Sequence, residues 1–153
     1  MKRIVLSLFA TVSVQAFCCA DAPKLPAELR KVLEDSSRFR EVHSTTNLPP
    51  EVVARCADEN GRFAEPGQKW EATDAITDPK LPQSRLIWVA IAGEDYVVHY
   101  ERGGYAHTYH VLVVTFRPDD KKADIVWSAV GGGRLKDYRA FVAALEGNKL
   151  DDW

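Results

Sequence analysis

Between Ser84 and Val130 the chain reads SRLIWVAIA, DYVVHYER, YAHTYHVLVVTF and ADIVWSAV, four runs rich in β-branched and aromatic residues. Only Gly93-Glu94, Gly103-Gly104 and a turn from Pro118 to Lys122 separate them. A parallel pair needs a crossover of a dozen or more residues, so strands joined this tightly must be antiparallel neighbours. The stretch therefore predicts a four-stranded antiparallel meander. It is followed by VGGGRLKDYRAFVAALEG, in which Tyr138, Phe141, Val142 and Leu145 recur at helical spacing. Laid across the meander, that C-terminal helix buries one face of the sheet. Upstream, PAELRKVLEDSS and NLPPEVVARCADENG read as two short N-terminal helices, with prolines at their entrances and Gly61 past the second. The fold class is α+β. Trp88, Val89, Val98, Val111, Val113, Trp127, Phe141 and Leu145 are the expected core.

The chain opens with Met1-Lys2-Arg3, an apolar run IVLSLFATVSVQAF, and the small residues Cys18, Cys19 and Ala20. This is the layout of a secretory signal peptide, with cleavage expected after Ala20. Residues 1–20 are then a leader, and residues 21–153 form one α+β domain in the periplasm or outside the cell. Acylation of Cys18 or Cys19 fits poorly, because Phe17 stands before Cys18 where a small residue belongs, and Ala16 stands where Cys19 would need a Leu-like residue. No later segment has the apolar length of a transmembrane helix. Of 20 basic residues Lys2 and Arg3 leave with the leader, so 18 face 22 acidic ones and the net charge is −4. No basic block remains, and nothing points to nucleic acid. Cys56 is left without a partner, which excludes an intramolecular disulfide. On its helix it reads as a small buried hydrophobe.

HYERGGYAHTYH, residues 99–110, holds three of the four histidines around a Gly-Gly step. Two-residue loops at Gly93-Glu94 and Gly103-Gly104 would pair Ala92 with Asp95 and Arg102 with Tyr105. Trp88 then lies opposite His99, and His99 opposite Thr108. Alternation of side chains puts His99, Glu101 and His110 on one face and His107 on the other. Two readings of that face follow. His99 and His110 are half-buried imidazoles bonded to Glu101, Thr108 or backbone, or they form a metal site or acid–base pair with Glu101. The tyrosines likewise either pack across strands or, with Arg102, present a recognition surface. That surface would comprise Tyr100, Arg102, Tyr105, His107 and Tyr109.

Two further features carry less. Gly131-Gly132-Gly133 precedes Arg134 and Lys136 at a helix start, yet neither GxxxxGK[ST] nor GxGxxG occurs, so a flexible strand-to-helix connection is the plainer reading. His43-Ser44 lacks the GxSxG elbow of a nucleophile. Between Arg62 and Ser84 the chain is irregular, and Trp70 is expected to pin it to the core. With no cofactor motif and no nucleophile motif, the residues favour a small exported binding module of the inhibitor or immunity type over an enzyme. A metal-binding protein or enzyme built on His99, Glu101 and His110 is the alternative.

Overall fold

The computed structural model describes residues 24–150; the expected leader and its expected cleavage point after Ala20 lie outside them. The meander is present, and a fifth strand joins it. In sheet order the strands are β1 (Arg40–Val42), β2 (Ser84–Ala92), β3 (Asp95–Arg102), β4 (Thr108–Arg117) and β5 (Lys122–Gly131), all antiparallel. The expected four strands are thus corrected to five. β1 escaped the sequence reading because a three-residue strand beginning Arg-Glu has no apolar alternation to betray it.

The helices are α1 (Ala27–Glu34), α2 (Pro50–Cys56) and α3 (Tyr138–Glu146). α3 starts later than the glycine run suggested, at the Asp137 carboxylate, which accepts from the Ala140 N–H at 2.7 Å. α1 and α3 share one side of the sheet, where Leu33, Phe141, Val142 and Leu145 pack with Trp88, Val97, Val111, Val113 and Trp127. α2 covers the other, where Val52 and Cys56 meet Leu86, Val89, Val98, Leu112 and Val114. Both faces are covered, which explains why β2–β4 read as near-continuous apolar runs. All eight expected core residues are buried. Burial pushes the Cys56 thiol up to about 12, so it packs as a hydrophobe.

Register decides where the functional candidates go. Ala92 pairs with Asp95 across the Gly93-Glu94 turn, and Trp88 pairs with His99, as expected. A bulge between Leu86 and Trp88 turns both Ile87 and Trp88 toward the α1/α3 side. The outer edge of β2 is closed throughout. β1 pairs with Val89–Ile91, the His43 ring takes the Ile87 carbonyl at 3.1 Å, and Ala64 bonds both Ser84 and Leu86. β5 has a neighbour on one side only.

The β3–β4 connection differs from expectation. Arg102 pairs with Thr108, so the loop is the five residues 103–107 and not Gly103-Gly104 alone. Three extra loop residues, an odd number, swap the faces of β4 relative to β3. Gly103 carries the ladder one step past β2, its N–H donating at 2.8 Å to the carbonyl of Gln83, the residue just before that strand. A Cβ there would overlap the backbone of Glu71 and Ala72, so this glycine admits a neighbouring chain segment.

Candidate functional site

The swapped faces separate the histidines. His99, paired with Val111, lies on the α1/α3 side; His110, paired with Tyr100, lies on the α2 side. The proposed convergence of His99, Glu101 and His110 is corrected accordingly, because the sheet stands between the two rings. Each imidazole is engaged locally. His99 is fully buried, its Nδ1 at 2.9 Å from the His110 carbonyl and its Nε2 accepting the Leu135 N–H at 3.1 Å. Burial lowers its pKa to about 4 against the partial support of that carbonyl. His110 stacks on Tyr100 at 4.8 Å and meets the Thr108 hydroxyl at 2.9 Å. Burial, then the charge of Arg102, lowers its pKa to about 4 as well.

Glu101 is joined by His107 instead. Its nearly buried carboxylate meets His107 Nε2 at 2.9 Å through one oxygen and Arg85 at 2.6 Å through the other. Trp70 closes this group, with the Arg85 guanidinium 5.0 Å above its ring and the His107 ring 5.2 Å away. Trp70 thus holds its loop against the Arg85–Glu101 pair at the sheet's end, and not against the apolar core where it was expected. Both Glu101 oxygens carry a partner, so the carboxylate holds Arg85 and orients His107.

Of the five proposed contact residues, Tyr100 is buried against Phe63 and His110, and Tyr109 is half-buried between His99 and His107. Those two pack. Arg102 is half-exposed, His107 more so, and Tyr105 stands fully free at 101% relative exposure. Tyr105 rims a cleft of about 520 Å³ with Glu59, Asp74, Ile76, Gln83 and Arg102. Each wall has its own anchor. The Asp58 carboxylate accepts from the N–H groups of Asn60, Arg62 and Gln83, fixing the turn that carries Glu59. The Glu71 carboxylate accepts from the Thr77 hydroxyl at 2.6 Å and the Asp78 N–H at 2.8 Å, closing the loop that carries Asp74 and Ile76. That loop rests against Gly103. Ile76 is 56% exposed beside Tyr105, an apolar and an aromatic side chain on one rim.

The sequence reading missed Glu59, Asp74, Ile76 and Gln83. For Asp74, Ile76 and Gln83 the available signal was the length of the irregular stretch from Arg62 to Ser84, since structureless loops this long in small domains are commonly functional; Glu59 lies before that stretch. Gly103 offers a direct check on how the wall is held. Gly103→Ala should lift the 71–82 loop at a cost of roughly 1–3 kcal/mol, because backbone atoms cannot yield to the new methyl. Limited proteolysis should then cut between Ala72 and Leu81 while the sheet stays protected. Unchanged cleavage and stability would show that the loop does not depend on this contact.

Among the described residues no helix is long and apolar enough to cross a membrane, and no group of three metal-ligating side chains converges. Comparison with protein-family models, with curated proteins and with solved structures found no match.

Proposed function

We propose that the chain is a small exported binding module of the inhibitor or immunity type, and that it grips a protein partner with the rim formed by Tyr105 and Ile76. The observation that carries this reading is the full exposure of Tyr105 beside the exposed Ile76, over a cleft whose walls are individually anchored. A rigid aromatic ring loses little entropy on contact, and aromatic and Arg anchors dominate protein interfaces. Arg102 at the same rim supplies a directional partner for a carboxylate or carbonyl. Export is supported by the basic start, the short apolar run and the small residues ending at Ala20.

The test is capture of a partner from an envelope extract, repeated with Tyr105→Ala and Ile76→Asp. Each variant should weaken retention at least about tenfold, equivalent to about 1.4 kcal/mol. Unfolding midpoints should barely move, since exposed side chains contribute little to the core. Equal retention by wild type and variants would place the contact elsewhere.

A further inference from the structure

We propose that β5 pairs with the β5 of a second copy of this chain, antiparallel and two-fold symmetric about Ser128, joining two five-stranded sheets into one. Three of the five exposed large hydrophobic side chains among the described residues sit on this strand: Ile125, Val126 and Val130. Isolated apolar side chains on a surface are ordinary, but three on a ten-residue edge strand are not. The opposite side of the sheet is sealed by β1, His43 and Ala64, so β5 is the one long edge left open among the described strands.

Backbone direction selects the occupant and its register. The Phe116 N–H bonds Glu94, on the β3 side, so by alternation Phe116, Val114, Leu112 and His110 turn their backbone groups toward β3. Their β5 partners Ser128 and Val130 therefore turn theirs outward. Where the edge is covered by its own chain this is visible: the Ala123 carbonyl, also outward, accepts from Arg55 Nε at 2.9 Å. Pairing about Ser128 sets Ser128 against its symmetry mate, Trp127 against Ala129, and Val126 against Val130. Exposed apolar side chains then cover one another twice, while Lys122 and Asp124 fall beyond the paired segment. Centring on Trp127 instead would set Asp124 against Val130, and the bulge at Val126 would limit longer overlaps. A second copy satisfies the edge without opposing like charges, and a two-fold contact of this kind closes on itself.

The measurement is light scattering during size exclusion at up to about 100 µM, where a weak specific pair self-associates. A dimer is expected, and Val130→Lys, on a half-exposed site that leaves the core intact, should return it to monomer with unchanged unfolding. Register is read by cross-linking: mild oxidation of Ser128→Cys should join two chains at least roughly tenfold faster than Lys122→Cys, because only the former lies within disulfide reach of its mate. The unsubstituted chain serves as the blank. A monomer at the highest concentration overturns the proposal. So does a dimer that Val130→Lys leaves intact, or one in which both cysteines cross-link equally.

Discussion

Lowering the pH from 6.5 to 4 is expected to remove about 3 kcal/mol of stability through His99 alone, taking its pKa as about 4 in the fold and 6.5 when unfolded. The Leu135 N–H can only donate, so His99 Nε2 must accept and the ring must stay neutral. Protonation would break that bond and place a charge among Trp88, Tyr109 and the α3 approach. The folded pKa is depressed, so above pH 6.5 the contribution is whole. As pH falls, the unfolded chain takes up the proton first and stability drains, until near pH 4 the folded state protonates too. His110 acts in the same direction but with less weight, being partly exposed. Urea unfolding at pH 7, 5.5 and 4.5 measures the loss. His99→Gln, which cannot titrate, should flatten the dependence even if it lowers stability at neutral pH. Equal midpoints at pH 7 and 4.5 for the wild type would refute this account.

Phe141→Ala should cost roughly 3–5 kcal/mol at neutral pH. The ring is fully buried, 6.2 Å from Trp88 and 5.6 Å from Tyr138 between ring centres, where α3 meets the sheet. Its neighbours are committed elsewhere and cannot collapse into the gap. The Tyr138 hydroxyl donates to the Leu33 carbonyl at 2.7 Å, and Trp88 Nε1 donates to the Leu135 carbonyl at 2.9 Å. A loss below about 1 kcal/mol in urea would mean that α3 is peripheral to the fold.

The long strands, the tight Gly93-Glu94 turn and the three helices were legible because each has a local cause: periodicity, a proline at the entrance, a short connection. The β3–β4 hairpin was misread for the opposite reason. Gly103-Gly104 looks like a two-residue turn, whereas Gly103 is small because Glu71 and Ala72, some thirty residues upstream, pass against it. No window around the hairpin contains that information. The error then propagated by parity, carrying His110 to the wrong face and His107 away from Glu101. The rim was half legible: Tyr105 was singled out, but Ile76 reaches it only through a loop held by the Glu71 carboxylate.

The unequal sides of the sheet also bear on solubility at high concentration. A molecule with two open flanks can recruit neighbours without limit, as a monomer with two reactive ends grows into a polymer. Here one flank is consumed within the chain by Ala64, His43 and a strand of three residues. Under the pairing proposed above, strand addition at β5 is a terminating event, because the opposite flank offers only the three residues of β1 as an edge.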